Sequence, residues 1–296
     1  MSASDLLAWD AQGTLVGVNF VGTHTVRERV AMEAVTPLQQ VLVVISGLLV
    51  GFILGLIGGG GSILAVPLLL YFVGYNHPHI VIGTTAVAVA LTAYANLLTH
   101  WQVGTVRWKP AITFALPGVI GAAIGAQIGK VFPSGPLLFL FALLMVVVAI
   151  SLLRSRASSA PRPIQSGWSM LAWILSVGFV VGLLSGFFGI GGGFLIVPGL
   201  VFATGMPLLN AVGTSLFSVG MFGMTTGITY ALAGLVNWLI VAEYLVGGIL
   251  GGIVGARLAL SLGAKKKMLA RLFAGIVLVV AAYMLYVNVT ALHLIR

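Results

Sequence analysis

Two stretches of the chain carry the same pattern. Residues 55–67 read GLIGGGGSILAVP, and residues 186–198 read GFFGIGGGFLIVP. Four glycines, a valine and a proline recur between them at a spacing of 131 residues. Each glycine run interrupts an apolar stretch, and glycine allows the backbone to leave helical geometry. A long repeat of this kind in an apolar chain is typical of secondary transporters that are built from two related halves.

The repeat continues beyond the glycine runs at a spacing of 130 residues. Gly83-Thr84-Thr85 returns as Gly213-Thr214-Ser215, and a Gly-x-x-Gly-x-x-x-Gly pattern starts at both Gly118 and Gly248. Because small residues allow membrane helices to approach closely, we interpret the later glycine patterns as helix-packing faces.

Composition places the chain in a membrane. It is 60% hydrophobic and 6% charged, with a mean hydropathy of +1.17. Uncharged runs of nearly 20 residues recur from residue 37 onward, which predicts an all-α polytopic membrane protein. The absence of cysteine excludes disulfides and thiolate metal sites, and the scattered histidines predict neither a metal nor a cofactor. The basic residues lie in short loops, which indicates membrane orientation and not nucleic-acid binding.

The apolar runs divide the chain into two repeats. We predict a tail over residues 1–36, a first repeat over 37–153, a cytoplasmic linker over 154–168 and a second repeat over 169–296. Each repeat holds five apolar segments. They fall near residues 38–57, 62–75, 80–100, 110–130 and 135–153, and near 169–188, 193–205, 211–232, 238–262 and 269–291. The second segment of each repeat is too short to cross about 30 Å of hydrocarbon, which predicts a glycine-broken or re-entrant helix.

An odd number of segments per repeat predicts that the two repeats are inverted in the membrane. The arginine-rich linker and the Lys265–Lys267 cluster then lie in the cytoplasm, as the positive-inside rule requires, and both termini lie outside. The tail carries charges where a cleavable signal peptide would be apolar, so we predict an extramembrane tail with a short amphipathic helix over residues 24–35.

The glycine runs are the first candidates for a substrate site. A helix that restarts after a break presents unpaired N–H groups and the positive end of its dipole, which together bind anions. Two such ends would face each other near mid-membrane in an inverted pair. The hydroxyls of the Gly-Thr-Thr and Gly-Thr-Ser elements are added to the site, although helix capping is the alternative for each of them. The predicted substrate-binding residues are Gly58, Gly60, Gly61, Ser62, Thr84, Thr85, Gly189, Gly191, Gly192, Gly193, Thr214 and Ser215.

Three polar residues within apolar segments are secondary candidates. Asn96 lies within the third segment, whereas Glu243 and Arg257 lie toward the two ends of the ninth. Polar and ionisable residues inside a membrane are expensive and are functional candidates by default. Arg257 can instead extend its charge to the interface. We expect His100 and Trp101, at the cytoplasmic end of the third segment, to serve as interfacial anchors, with a proton relay as the alternative.

At these motifs the chain resembles the sulfite exporter TauE/SafE family of membrane permeases. The resemblance rests on the doubled glycine runs followed by Val-Pro, on Gly83-Thr84-Thr85 and Gly213-Thr214-Ser215, and on the later glycine-patterned helices. It covers about residues 38–290. It implies export of a small sulfur oxyanion or organosulfonate, such as sulfite or sulfoacetate, across the inner membrane.

The sequence thus favours a carrier that moves a small anion through the lipid bilayer without a cofactor. A channel and a non-transporting assembly subunit stay open as alternatives, and the oligomeric state, including a homo-oligomer, stays open too. No Gly-x-x-x-x-Gly-Lys-Ser/Thr sequence is present, so the chain carries no ATPase motif of that kind. An intramembrane enzyme would need paired carboxylates, a cysteine or a histidine cluster, and the sequence lacks them.

Overall fold

The computed structural model describes residues 8–9, 15–16, 35–154, 168–190, 193–261 and 266–293. The chain divides into a unit over residues 1–34 and a unit over residues 35–296. In the first unit, strands β1 (Ala8–Trp9) and β2 (Leu15–Val16) form an antiparallel pair. The predicted amphipathic helix over residues 24–35 lies, apart from residue 35, outside the described residues.

The described part of the second unit is helical and follows the predicted segments. The first repeat contains α1 (Pro37–Ile57), α2 (Gly59–Phe72), α3 (Pro78–Gln102), α4 (Trp108–Val131) and α5 (Ser134–Arg154). The second repeat contains α6 (Trp168–Phe188), α7 (Gly193–Thr204), α8 (Leu208–Leu232), α9 (Trp238–Ser261) and α10 (Lys266–His293). The all-α fold class is therefore confirmed.

Local sequence signals explain where the first helix begins and ends. Thr36 and Gln39 form a capping box, in which each side chain receives a hydrogen bond from the other residue's backbone N–H, at 3.3 and 3.0 Å. Pro37 follows at the first helical position, where its missing N–H costs nothing. The helix ends at Gly58, whose φ of +77° is left-handed.

Helix α2 is irregular along its whole length. It starts as a 3-10 turn over Gly59–Leu64, continues as one α-helical turn over Ala65–Pro67 and ends as a π-helical turn over Leu68–Phe72. Its counterpart α7 is a regular helix of 12 residues. Both are too short to cross a bilayer, in agreement with the prediction of two short segments.

Seven helices are long and apolar enough to cross a membrane among the described residues. Two of them are central: in their most apolar windows, 83% of the α3 residues and 72% of the α8 residues are buried. The other five windows are 33–50% buried. On the outer helices, large apolar side chains recur every four residues on the exposed face. In α4 these are Ile112, Leu116, Ile120, Ile124 and Ile128.

The first helix of each half packs against the fourth helix of the other half. Helix α1 packs along α9 in the same direction, and α6 packs along α4 in the matching register. The matched pairs are Gly47 with Tyr244, Gly51 with Gly248 and Gly55 with Gly252, repeated as Gly178 with Phe114, Gly182 with Gly118 and Gly186 with Ala122. Here glycine allows backbone-to-backbone contact, as the packing interpretation of the glycine patterns predicts.

The central helices α3 and α8 are counterparts that run in opposite directions. Gly83, in the first turns of α3, packs against Tyr230 near the end of α8, whereas Tyr94 packs against Gly220. An inverted repeat requires this relationship between equivalent helices. The inversion of the repeats about the membrane plane stays a prediction.

Candidate functional site

The two glycine runs begin with equivalent backbone breaks. Gly58 and Gly189 have φ values of +77° and +68°, a conformation that side chains disfavour. Neither position has room for a Cβ. One at Gly58 would lie 2.8 Å from the Ser215 hydroxyl oxygen, and one at Gly189 would overlap the Ile82 side chain. Each break therefore packs against the start of the central helix of the other half.

The short helices that follow the breaks contact each other. The 3-10 turn of α2 packs directly against α7 and also against α8. Gly59 N–H, at the start of α2, donates to Ser215 Oγ at 3.2 Å, and that hydroxyl donates to the Val212 carbonyl at 2.7 Å. Ser215 therefore caps the first short helix from the opposite half, and one backbone donor of the predicted site is already bonded.

Thr84 and Thr214 hold equivalent positions, and the hydroxyl of each accepts a hydrogen bond from a backbone N–H of the other half. Thr84 Oγ1 accepts a hydrogen bond from Asn237 N–H at 2.9 Å, and Thr214 Oγ1 accepts one from Arg107 N–H at 3.0 Å. Asn237 and Arg107 directly precede α9 and α4, so each threonine caps a helix of the other half. The capping alternative is thus realised for both hydroxyl oxygens.

The remaining predicted hydroxyls bond to nearby backbone. Ser62 Oγ donates to the Gly59 carbonyl at 2.9 Å, within the 3-10 turn. Thr85 Oγ1 donates to the Val81 carbonyl at 2.7 Å, one helical turn earlier in α3. Both residues are buried.

The glycines of the two runs differ in the space around them. A Cβ at Gly61 would lie 2.5 Å from the Leu54 backbone nitrogen, so this glycine serves close packing on α1. A Cβ at Gly60 would meet Ile57 at 3.4 Å and Phe273 at 3.6 Å. Gly60 therefore has space that Gly61 lacks. In the second run, Gly193 begins α7, whereas Gly191 and Gly192 lie outside the described residues.

The three secondary candidates occupy different environments. Asn96 is buried on α3 against Gly252, and its Nδ2 has no hydrogen-bond partner among the described residues. Glu243 is half-buried, and its Oε2 atom also has no hydrogen-bond partner among the described residues. Arg257 is exposed. The structure thus keeps Asn96 as a buried polar candidate and leaves Arg257 on the surface of α9.

Buried polar atoms without partners also lie on α8. Thr226 is the counterpart of Asn96, and its hydroxyl is buried and unpartnered within the described part of the chain. Ser218 and Tyr230 carry further such hydroxyls two turns before and one turn after it on the same helix face. Buried polar groups usually have partners, so this face is suited to receive water or a polar ligand.

His100 is a residue whose place the sequence interpretation missed. Its side chain is fully buried, so the expectation of an interfacial anchor is wrong for His100, whereas Trp101 is 56% exposed. The ring lies 3.1 Å from the Gly55 carbonyl and 3.1 Å from the Thr105 hydroxyl. The spacing of Thr92, Asn96 and His100 by four residues on one face of α3 could have indicated this position.

Full charges are scarce in the part of the interior that the structure describes. The charged residues whose side chains are described are Arg107, Lys109, Lys130, Glu243 and Arg257, and each is exposed or half-exposed. The same part of the chain contains no group of three or more metal-ligating side chains. Within it, an anion at the junction of the short helices would meet backbone dipoles and hydroxyls before it met a charged side chain.

These features define a multi-pass membrane protein with two short, glycine-broken helices that meet beside two central helices. The sulfite exporter TauE/SafE family profile matches residues 43–284, and the chain belongs to this family. The family is one of membrane transporters, and the names of the relatives also indicate this.

The relatives cover most of the helical unit. A probable membrane transporter protein of Xylella fastidiosa (strain Temecula1 / ATCC 700964) is 53% identical over 252 residues, which are 84% of this chain and 96% of the relative. The probable membrane transporter protein YunE of Bacillus subtilis (strain 168) is 30% identical over 238 residues, 73% of this chain and 87% of the relative. No solved structure matches the chain.

Proposed function

We propose that this protein is a secondary transporter that exports a small anion, either sulfite or an organosulfonate such as sulfoacetate, across the inner membrane. The observation that carries the proposal is the direct contact between the two short helices, α2 and α7, each of which follows a glycine break. The family's description as a sulfite exporter supports a sulfur oxyanion as the substrate class.

The substrate site lies, in this proposal, where the short helices meet. Helix N-termini carry about half a positive charge each, and two of them stabilise a monoanion or dianion without a buried arginine. The threonines Thr84 and Thr214 keep the surrounding helices in place by capping them. A potential of 100 mV, negative inside, favours anion exit by about 2.3 kcal/mol per charge.

The transport path is proposed to run beside the central helices. Asn96 on α3 and Thr226 on α8 hold equivalent positions, are buried, and have unpartnered polar atoms among the described residues. An oxyanion accepts hydrogen bonds from amides and hydroxyls of this kind. The opposite directions of α3 and α8 support two inverted repeats, between which an alternating-access carrier places its site.

Counterflow in proteoliposomes tests the proposal. Purified full-length protein should exchange labelled sulfite or sulfoacetate against the same unlabelled anion, with a saturable rate. A Gly60→Val variant should lose this exchange, because the added side chain fills the space near Phe273. The variant should still fold, since the atoms nearest to a Cβ at Gly60 would be side-chain atoms at 3.4 Å or more. Gly191→Val is expected to act in the same way.

The matched control is Gly275→Val on α10, where a Cβ would meet nothing within 4 Å. Monodisperse elution of each variant separates loss of transport from loss of folding. A well-folded Gly60→Val Gly191→Val variant with normal exchange would refute the glycine-run site. A non-saturable flux without counterflow would indicate a channel, and no flux of either anion would favour an assembly subunit.

The orientation is a separate part of the proposal. The linker over residues 154–168 is proposed to lie in the cytoplasm, with both termini outside. Single cysteines at Ser134 and Ser158 can be labelled in intact cells with an impermeant reagent, since the natural chain has no cysteine. Labelling at 134 but not at 158 is expected, and the reverse pattern would overturn the orientation.

A further inference from the structure

Both ring nitrogens of His100 have hydrogen-bond partners among the described residues. Nε2 lies 3.1 Å from the Gly55 carbonyl oxygen, and Nδ1 lies 3.1 Å from Thr105 Oγ1. Thr105 Oγ1 also lies 3.0 Å from the backbone carbonyl of His100 itself. Both ring nitrogens thus face oxygen atoms, and the hydroxyl oxygen faces two groups that accept its proton.

This arrangement satisfies both protonation states of the ring. In the neutral ring, Nε2–H donates to the Gly55 carbonyl, and the Thr105 hydroxyl donates to Nδ1. When a proton binds, an N–H bond forms at Nδ1 and donates to Thr105 Oγ1, whose own hydrogen turns to the His100 carbonyl. Within these contacts, the change between the two states needs the rotation of one hydroxyl hydrogen. His100 can therefore gain or lose a proton while the heavy atoms stay where they are.

The position connects the glycine break to the surface. Gly55 lies in the last turn of α1, three residues before the break at Gly58, and a cation is favoured at a helix C-terminus. Thr105 lies in the loop between α3 and α4, and this loop exposes Val103 and Gly104. Water at this loop can supply or accept the proton.

Among the side chains that the structure describes, no charged residue on the elements around His100 is buried. Helix α1 presents the Gly55 carbonyl, the loop presents Thr105, and α9 packs on α1 through Gly252 and Ala256. The charged residues on these elements and on α4 with described side chains are exposed or half-exposed; they are Arg107, Lys109, Lys130, Glu243 and Arg257. The equivalent of His100 in the second repeat is Tyr230, whose hydroxyl has no partner among the described residues. The two-state hydrogen-bond set is therefore present in the first repeat and not reproduced at Tyr230.

We propose that His100 is the proton-binding site of this transporter, and that it takes up and releases one proton in step with movement of the anion. Proton binding places a positive charge beside the end of α1, close to the proposed anion site. The inference rests on the proposed function and adds the coupling ion to it. Ionisable groups within a membrane protein's interior are where such proton steps occur.

The experiment first establishes anion exchange and then asks about protons. Counterflow at one pH, equal on both sides, identifies which of sulfite and sulfoacetate is carried. Net flux of that anion is then followed with a pH-sensitive dye inside the same proteoliposomes. For the natural protein we expect proton movement with each anion, and a net flux that changes across about pH 5–8, where histidine titrates.

His100→Gln is the decisive variant. Glutamine keeps an N–H donor for the Gly55 carbonyl and an oxygen that accepts from Thr105, but it does not titrate. Its proton movement per anion should fall to the level of protein-free vesicles, and its net flux should no longer follow pH. His77→Gln is the matched control, since His77 is half-exposed and contacts Tyr75 outside this set. If the anion is sulfite, whose own charge changes in this range, the natural protein and the variants are compared at the same pH.

A second pair of variants tests the proposal independently if His100→Gln does not fold. Thr105→Val removes the acceptor that the charged ring needs, so the midpoint of the pH profile should move to lower pH. Bonds to charged groups are worth more than bonds to neutral ones, which decides this sign. Thr105→Ser retains the hydroxyl and should restore the natural midpoint.

The results distinguish failure of the proposed transport function from failure of the proposed role of His100. Absence of counterflow in the natural protein would reject the proposed function. Counterflow without proton movement, or proton movement that persists in His100→Gln, would reject the role of His100 and leave the transporter proposal standing. An unchanged midpoint in Thr105→Val would also reject it.

Discussion

The two central helices are equivalent in the repeat but differ in chemistry along their length. Their first turns agree: Thr84 of α3 and Thr214 of α8 each cap a helix of the opposite half, at 2.9 and 3.0 Å. Their last turns differ, because His100 of α3 is replaced by Tyr230 in α8. His100 is hydrogen-bonded through both ring nitrogens, whereas the Tyr230 hydroxyl has no partner among the described residues.

This difference separates two kinds of residue. Residues that match between the halves make contacts that the repeat uses twice, and they hold the halves together. Residues that do not match place different polar groups in the two halves, as His100 and Tyr230 do, and as Asn96 and Thr226 do. A protein assembled from two similar halves thus obtains a symmetric scaffold and an asymmetric interior. The comparison predicts paired effects at matched positions and one-sided effects elsewhere.

The largest effect is expected at the matched glycine contacts. A Cβ at Gly51 would lie 2.6 Å from Gly248 Cα, and one at Gly182 would lie 2.5 Å from Gly118 Cα. Gly51→Ala and Gly182→Ala should each lower the free energy of unfolding by about 1–3 kcal/mol or more, because overpacking forces the backbones apart. Thermal unfolding in detergent measures this. Gly275→Ala, with open space around it, is the control. If either variant were as stable as the natural protein, the two halves would not be equivalent at this contact.

The capping threonines should give the next effect. Thr84→Val and Thr214→Val each leave a backbone N–H at a helix start without its acceptor, which costs about 1–3 kcal/mol. Serine at either position retains the hydroxyl and should recover most of the stability. Anion affinity measured by calorimetry sharpens the comparison. A loss of affinity with full stability would mean that the threonines contact the substrate directly.

A smaller effect of opposite sign is expected at Thr226. Its buried hydroxyl lacks a partner in the described structure, so Thr226→Val should raise the free energy of unfolding by roughly 1 kcal/mol. Thr92→Val is the control, because the Thr92 hydroxyl donates to the Ala88 carbonyl at 2.8 Å and its loss should not stabilise. Equilibrium unfolding of the two variants provides the comparison. A destabilised Thr226→Val protein would show that the hydroxyl is bonded after all.

The smallest effect is expected at Arg257. The side chain is exposed, so Arg257→Gln should change stability by no more than about 0.5 kcal/mol and leave anion affinity nearly unaltered. Calorimetry of this variant beside Thr84→Val and Thr214→Val tests the proposal of a site made of backbone and hydroxyl groups. Loss of binding in Arg257→Gln alone, with both threonine variants silent, would contradict that site.

The positions of the helices were predictable because they depend on local sequence. Uncharged apolar runs gave each helix to within a few residues at either end, and the glycine runs located the breaks at Gly58 and Gly189. The two short segments also followed from their length. One local detail was different: α2 begins within its glycine run, at Gly59, because Ser215 of the other half caps it there.

The roles of the polar residues were not predictable in the same way. Thr84 was open to two interpretations, since a hydroxyl near a helix start can cap a helix or bind a ligand. Its partner is Asn237, 153 residues away, and no local pattern indicates that contact. His100 had the sequence position of an interfacial anchor, yet it is buried against Gly55, 45 residues earlier.

By itself, the sequence therefore determined the class of protein, its two repeats, its helix boundaries and the places where helices break. These properties depend on hydropathy and on glycine backbone freedom, which act within a few residues along the chain. Tertiary structure alone decided which glycines contact backbone, which hydroxyls are used as caps and where His100 lies. Those outcomes depend on how α3 and α8 pack between the other helices, because a side chain's partners are set by neighbours that are distant in sequence.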